Sequence, residues 1–471
     1  MSLRNIFIVV YLLLSSILFA SFTCDVYVWL SFFISFIIIT LITYYNLFIE
    51  AEYSPFIAAY VVFNYLFFLL APIIQIGSFT ETNNRFATRM IYDIGLTLQT
   101  NGLIILFNLI FFSSYLFFKK KYKYKITKIV APKNEKNLPL TILILFVISV
   151  AVLYFSMDFM MDEFSRPNWL KSTYSVFELL VQKKVLFMIP LAIIVLCYQF
   201  YKNQSKITNN TLILFFILLG SFLLLLWFKN PLTEKRNALG PIYIALIFLF
   251  YPKLLNTNVK IMSFLFFAMI LLFPLFQIFT HIDYSFEAII NKPSLLSKEF
   301  TDAKFATTFN TLNYDAFSNI SATIEYVSKN GFAYGYQLLS GLLFFVPRAI
   351  WSSKPISTGE LVGDFIIEQY DFNFKNLSNP LVSEGYINFG IFGVILLSLI
   401  LAFFMVRLLI WLNRPDQLKR IIAFYFAIHL LFLLRGDFTN GYAYFIGTLI
   451  GVLIIPKIIH KIINFALKKE Q

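Results

Sequence analysis

Apolar runs of membrane-spanning length alternate with short polar segments along almost the whole chain. An α-helix rises about 1.5 Å per residue, so about 20 apolar residues cross a hydrocarbon layer of about 30 Å. The pattern predicts an all-α polytopic integral membrane protein with about twelve transmembrane helices, at residues 6–22, 26–44, 55–77, 94–118, 138–157, 185–201, 211–228, 238–255, 261–280, 389–412, 421–435 and 440–459.

The composition agrees with this pattern. Of 471 residues, 59% are hydrophobic and only 13% are charged, which excludes an ordinary soluble domain. The two cysteines, Cys24 and Cys197, have neither metal-binding nor disulfide spacing. The net charge of +13 is expected to reflect membrane topology and contact with anionic lipid, and no nucleic-acid partner is predicted.

The basic run KKKYKYK at residues 119–125 orients the predicted helices, because cytoplasmic loops are rich in Lys and Arg. With this run inside, twelve crossings place both termini in the cytoplasm. The basic segments near residues 414–420 and 457–469 then also lie inside, as the same rule requires.

Residues 336–350 are mostly apolar but are not predicted to cross. Pro347 and Arg348 interrupt the run after about eleven residues, too few for a span. A crossing here would also move the basic C-terminus outside. We therefore predict a re-entrant or interfacial segment within one long outer loop, residues 281–388. This loop joins nine helices in residues 1–280 to three C-terminal helices in residues 389–471, and the whole chain forms one integrated membrane domain.

The outer loop contains a predicted amphipathic helix at residues 315–330. Its apolar side chains share one face: Phe317, Ile320, Ile324 and Val327. Asp315 is expected to cap its start and Gly331 to end it. Such a pattern is typical of a helix that lies on the bilayer surface.

Three arginines of the predicted outer segments are candidate ligands for a phosphate group: Arg236, Arg348 and Arg435. A guanidinium offers a planar fork of donors that fits phosphate oxygens. Because 421–435 is short for a span, Arg435 is expected at or below the depth of lipid headgroups. These residues therefore indicate a charged lipid headgroup as the ligand.

Four segments resemble the Wzy-type polymerases of bacterial O-antigen and capsule: YDAFS at 314–318, FVPRAIWSSKP at 345–355, SEGYINFGIFG at 383–393 and LLRGD at 433–437. The resemblance covers the C-terminal third in motif and the whole chain in layout. It implies polymerisation of undecaprenyl-pyrophosphate-linked oligosaccharide repeat units at the outer face of the bacterial inner membrane. It further implies membrane lipid and a chain-length regulator protein as partners.

An enzyme of this kind needs positive groups at the departing pyrophosphate and a base for the acceptor hydroxyl. We expect Arg236, Arg348, Lys354 and Arg435 to bind the phosphates and Tyr386 to stack on sugar. The base is left open among four residues: Glu384, Asp437, Asp315 and His281. No cofactor is expected, and no metal site, because the outer segments lack a DxD-like pair or a His cluster.

Each of these residues also has a structural interpretation. Arg348 would snorkel to an interface, Lys354 and Tyr386 would anchor a segment there, and Arg236 would be a solvated loop charge. Arg435 and Asp437 would form a local ion pair, and Glu384 would cap a helix. Two other functions compete with polymerisation: a flippase for the same lipid-linked glycan, and an O-antigen ligase.

Overall fold

The computed structural model describes residues 2–127, 137–165, 174, 176–203, 209–231, 234, 236–273 and 308–469. These residues form helices joined by mostly short connections, and no β-strand occurs among them. The predicted class, an all-α polytopic membrane protein, is confirmed at this level. In chain order the principal helices are α1 (Leu3–Ala20), α2 (Val26–Ile49), α3 (Pro55–Gly77), α4 (Ile94–Thr127), α5 (Leu138–Phe155), α6 (Met157–Ser165), α7 (Phe177–Asn203), α8 (Asn209–Phe228), α9 (Arg236–Phe250), α10 (Asn258–Leu272), α11 (Ala316–Asn330), α12 (Tyr336–Leu342), α13 (Thr358–Tyr370), α14 (Leu381–Leu412), α15 (Gln417–Arg435) and α16 (Phe438–Lys468).

Ten helices of the described chain are long and apolar enough to cross a membrane: α1 to α5, α7, α8 and α14 to α16. Each coincides with a span predicted from the sequence. The predicted span 238–255 overlaps α9, and the described part of the predicted span 261–280 overlaps α10; both helices are apolar but shorter, and residues 274–280 lie outside the described residues.

The core of the bundle forms around α3. In its most apolar window 89% of the residues are buried, whereas only 22% are buried in α1, whose outer face is typical of lipid contact. Stacked aromatic rings join neighbouring helices: Tyr60 of α3 lies 3.9 Å from Phe111 of α4, and Phe248 of α9 lies 4.0 Å from Phe424 of α15, between ring centroids. These contacts pack α3 against α4 and α9 against α15, and α3 also lies against α15, so the four helices form one packed unit.

Helix α11 begins and ends where the sequence predicts, but it does not lie on a surface. The four apolar residues of that face are buried, and so are Ser318, Asn319, Ser321 and Thr323 in its first half. Ser321 exchanges a hydrogen bond of 2.8 Å with Thr100 of α4. The surface prediction is wrong because small hydroxyl residues satisfy their hydrogen bonds inside the bundle, so both faces of the helix can be buried.

The segment 336–350 forms no spanning helix. Its only helix is α12, of seven residues, and a series of turns follows it through Pro347 and Arg348. At 1.5 Å per residue α12 is about 10 Å long, far short of the hydrocarbon thickness. The segment thus contains no helix of spanning length, as predicted, and its re-entrant or interfacial position stays a prediction.

Helix α14 begins at Leu381, eight residues before the predicted span at 389. The backbone breaks at Phe389 and Gly390, where φ is −144° and +60°. The apolar pattern predicted only the part after the break, because the first part carries Ser383 and Glu384.

Candidate functional site

The glycines of the SEGYINFGIFG segment set the position of Glu384. Gly390 has a φ of +60°, which residues with a side chain rarely adopt. This glycine therefore permits the break in α14. Across the break, the backbones of Gly385 and Gly393 touch: a Cβ on Gly393 would lie 2.0 Å from the carbonyl oxygen of Gly385. This close approach folds the first turns of α14 back against the rest, and Glu384 is buried there.

Glu384 and Asp437 lie on either side of Thr358. The Thr358 hydroxyl donates a short hydrogen bond to Glu384 Oε1 and lies 3.3 Å from Asp437 Oδ2. The exposed fractions of the two acidic residues are only 2% and 5%. A hydroxyl has one proton to donate, so these two buried carboxyl groups compete for it and form a pair.

Backbone donors at helix N-termini hold this pair. Glu384 Oε1 accepts from Phe438 N at 3.0 Å, in the first turn of α16. Asp437 caps the same helix, accepting from Asn440 N at 3.2 Å, and its other oxygen accepts from Gly359 N at 3.1 Å, at the start of α13. The positive ends of two helices therefore meet at the two carboxyl groups.

Asp315 and Arg435 form a second polar pair, from residues 120 positions apart. Arg435 Nη2 lies 3.1 Å from Asp315 Oδ1 and donates to the Leu312 carbonyl at 2.8 Å. The Ser378 hydroxyl donates to the same Asp315 oxygen at 2.6 Å. Asp315 thus stands at the N-cap position of α11 but does not cap it, and the predicted cap is wrong because Arg435 and Ser378 take its carboxylate.

The guanidinium of Arg435 is only partly used by this pair. Its Nε is buried without an acceptor, and 26% of the side chain is exposed. The group also lies 5.6 Å from the centre of the Phe67 ring. Arg435 is therefore a rigidly held cation with donors to spare; its ion pair is with Asp315 and not with Asp437.

Arg348 and Lys354 organise the loop between α12 and α13. The Lys354 ammonium donates to the carbonyls of Leu343, Phe344 and Val346 at 2.9–3.0 Å. Arg348 donates to the carbonyls of Lys354 and Pro355 at 2.9 and 3.3 Å. Burial lowers the pKa of Lys354, and the nearby charge of Arg348 lowers it further. All three ammonium protons are used within the loop, so in this structure Lys354 shapes it.

The remaining predicted site residues are less closely connected. Tyr386 is half-buried in α14, with its ring edge-on to Phe332 at 6.1 Å. Arg236 is the first residue of α9, and its side chain is not among those described. His281 lies outside the described residues.

Three contributors were missed by the sequence interpretation: Thr358, Gly359 and Ser378. A signal for the first two was present, since Ser357 and Glu360 have the spacing of a capping box, and Ser357 does accept from Glu360 N at 3.4 Å. Ser378 follows no such motif. Its role arises from an extended segment that lies on α13, where Gly359 and Gly363 allow backbone contact.

The described residues contain no group of three or more His, Cys, Asp and Glu side chains arranged to hold a metal ion. The site is instead made of three acidic groups, one arginine and two hydroxyl groups. It joins the segments 314–318, 383–393 and 433–437 with Thr358 at one end of α15, whereas Arg348 and Lys354 bond within their own loop. Together, the fold and the site define a helical multi-pass membrane protein with a buried polar site at the end of a helix. Comparisons with family models, with curated proteins and with solved structures find no match to this chain.

Proposed function

We propose that this protein is a membrane glycosyltransferase that polymerises undecaprenyl-pyrophosphate-linked oligosaccharide repeat units into O-antigen or capsular polysaccharide. One observation carries the proposal: three segments that resemble the Wzy-type polymerases, 314–318, 383–393 and 433–437, meet through the Asp315–Arg435 pair and through the Thr358 hydroxyl between Glu384 and Asp437. Arg435 lies two residues before Asp437, so a cation and a carboxyl pair occur together. The proposal places this site at the outer face of a bacterial inner membrane.

The reaction needs one bond formed and one broken. An acceptor sugar hydroxyl attacks the anomeric carbon of the donor glycan, and the bond from that carbon to the pyrophosphate oxygen breaks. The hydroxyl proton passes to a carboxylate, and undecaprenyl pyrophosphate leaves with the electron pair. Negative charge grows on the leaving oxygen, where a prearranged cation stabilises the transition state most.

In this proposal Arg435 faces the leaving pyrophosphate. It is partly exposed, its Nε has no acceptor, and Asp315 and Leu312 fix its orientation. Asp315 is a positioning residue, because its carboxylate binds the Arg435 guanidinium and fixes the orientation of that group. Arg348 and Lys354 hold the adjoining loop in the shape that admits substrate.

The Glu384–Asp437 pair takes up the proton in this proposal. A general base has to sit within hydrogen-bond reach of the acceptor hydroxyl, and the Thr358 hydroxyl between the two carboxyl groups marks where a hydroxyl fits. Asp437 lies between α15 and α16, two residues after Arg435, so base and cation are close together in the sequence.

A flippase fits this arrangement less well. Transporters place coupling and substrate charges near the bilayer midplane, between repeated halves. Here Arg435 ends α15 and Asp437 caps α16, so the charged groups stand at helix ends. A ligase would use the same donor and the same groups, and only the acceptor distinguishes it.

Banding of lipopolysaccharide or capsule from a deletion strain tests the proposal. The strain should carry one repeat unit on each lipid core, and the wild-type chain should restore the ladder of long polymers. Cores without any repeat unit would contradict polymerase activity and indicate a flippase or ligase. Glu384→Gln and Asp437→Asn should each fail to restore the ladder at normal expression. Glu325→Gln is the matched control, because Glu325 is half-buried and bound by Lys329 and Tyr370 away from the proposed site.

A further inference from the structure

A cleft of about 330 Å³ opens at the end of α15 opposite to Arg435. Four helices line it: the start of α5, the end of α7, the start of α15 and the last turns of α16. Helix α15 has 19 residues, so at 1.5 Å per residue about 28 Å separates this cleft from the candidate site. The two sites are therefore physically distinct.

The walls of the cleft are fixed by hydrogen bonds between helices. His460 Nδ1 and the Thr141 hydroxyl lie 2.9 Å apart, and Asn137 donates to Asn464 at 2.9 Å. Both contacts join α16 to the start of α5. The cleft is thus part of the folded bundle, because its two sides are tied together.

The cleft carries net positive charge. Lys457, Lys461 and His460 line it, and Asp416 is its acidic residue. Asp416 is already bound by Lys457, and its other oxygen caps α15 by accepting from Lys419 N at 3.1 Å. Lys461 is exposed and forms no ion pair within the described part of the chain, so its charge is available to an anion.

An exposed apolar stripe borders these lysines on α16. Ile458, Ile462 and Phe465 are 51%, 61% and 65% exposed. Each of these apolar residues comes directly after a residue that lines the cleft. One position corresponds to about 100° around a helix, so the apolar stripe lies beside the lysines on the helix surface. A helix with large exposed apolar side chains next to lysines is typical of the membrane interface.

The position along α16 agrees with headgroup depth. Lys457 follows Phe438, the first residue of the helix, by nineteen positions, or about 28 Å of rise, close to the hydrocarbon thickness of about 30 Å. If the Asp437 end lies at one boundary of the membrane, Lys457 and Lys461 lie at the other. The charge distribution predicts this boundary to be cytoplasmic.

We propose that this cleft binds the phosphate headgroup of an anionic phospholipid. The phosphate meets Lys461 and Lys457, His460 and Asn464 contribute polar contacts, and the acyl chains follow the Ile458–Ile462–Phe465 stripe. The volume fits a glycerophosphate group, and basic pockets between helices at the cytoplasmic side suit such lipids. The inference does not depend on the proposed catalytic function.

Lipid binding to the purified full-length protein tests it. Bound lipid is counted by native mass spectrometry in neutral detergent with added phosphatidylglycerol or phosphatidylcholine, and inorganic phosphate is added as a competitor. Phosphatidylglycerol should bind more tightly than phosphatidylcholine. Lys461→Ala should weaken its binding roughly fivefold, whereas Lys468→Ala, on the same helix but outside the cleft, should not.

Three results would overturn the proposal. The first is equal binding of the two lipids, and the second is an identical effect of Lys461→Ala and Lys468→Ala on lipid binding. The third is displacement of the lipid by inorganic phosphate at low millimolar concentration, which would indicate a site for the free anion. Thermal unfolding of each variant without lipid checks its fold, and Lys461→Arg should restore binding if the charge is what matters.

Discussion

The pairing of Arg435 with Asp315 defines the site at the scale of single residues. Asp315 has 2% of its side chain exposed, and Arg435 has 26%. A second arginine–aspartate pair, Arg89 with Asp371, has exposed fractions of 46% and 100%. The two pairs can be compared directly. Removing one partner of a buried pair leaves the other charge buried and unpaired, whereas removing one partner of an exposed pair leaves the other charge solvated by water.

Asp315→Asn is expected to lower the free energy of unfolding by about 1–3 kcal/mol. This loss is smaller than the loss expected on breaking a fully buried ion pair, because Arg435 is partly exposed. Asp371→Asn should leave the free energy of unfolding essentially unchanged, because water replaces the lost partner. Chemical unfolding of the purified variants in detergent measures both. Equal effects of the two substitutions would mean that the Asp315 pair does not support the fold.

Lys354 leads to a prediction on pH. Its pKa lies below the ordinary value of 10.5, so the ammonium loses its proton as pH rises before an ordinary lysine would. The amine has one donor fewer for the three carbonyls it binds. Polymer formation should therefore fall at alkaline pH with a midpoint below 10.5. Lys354→Arg should move this midpoint upward, and Lys375→Arg, at an exposed lysine, should not; no displacement in Lys354→Arg would assign the alkaline loss to another group.

At the scale of elements, the break in α14 determines where Glu384 lies. Hydropathy predicted the helix after the break but not the turns before it, since these carry polar residues and no apolar period. The burial of α11 was also not predictable, because Ser318, Ser321 and Thr323 read as a solvated face until their partners on other helices are known. Helix α13 was missed although Ser357 and Glu360 marked its start.

Gly393→Ala should disrupt the break in α14. A Cβ there would lie 2.0 Å from the Gly385 carbonyl oxygen, so the two segments would have to separate. We expect a loss of at least about 2 kcal/mol in stability, in the range of other overpacked sites. Gly102→Ala is the matched control, since it has nothing within 4 Å in helix α4 and should be neutral or stabilising. Thermal unfolding of both variants measures these changes. A Gly393→Ala protein as stable as the wild type would show that the fold does not need the close approach of Gly385 and Gly393.

At the scale of the whole molecule, the number of long apolar helices could be predicted because membrane thickness imposes a length that composition reveals. The contacts of the site could not, because Asp315 with Arg435 and Thr358 with Asp437 join residues 120 and 79 positions apart. Motif resemblance singled out the segments that meet. It did not indicate that Thr358 lies between Glu384 and Asp437.

Topology is the first prediction at this scale. Single cysteines introduced at Lys121 and Lys468 should be labelled only from the cytoplasm, and those at Ser328 and Asn376 only from outside, in a chain with Cys24 and Cys197 replaced. All four positions are exposed, so labelling reports sidedness and not burial. Ser328 and Asn376 on opposite sides would show that residues 336–350 cross the membrane after all.

The central claim is that Arg435 and the Glu384–Asp437 pair carry out glycosyl transfer from a lipid pyrophosphate. Its most direct measurement uses the purified protein in liposomes with lipid-linked repeat units and a chelator, with polymer length read on a gel. The wild type should form a ladder, and Arg435→Ala should be slower by about 100-fold or more, while Arg89→Ala should match the wild type. A wild type that forms no polymer from authentic repeat units, a full ladder from Arg435→Ala, or activity that returns only with magnesium would contradict the account.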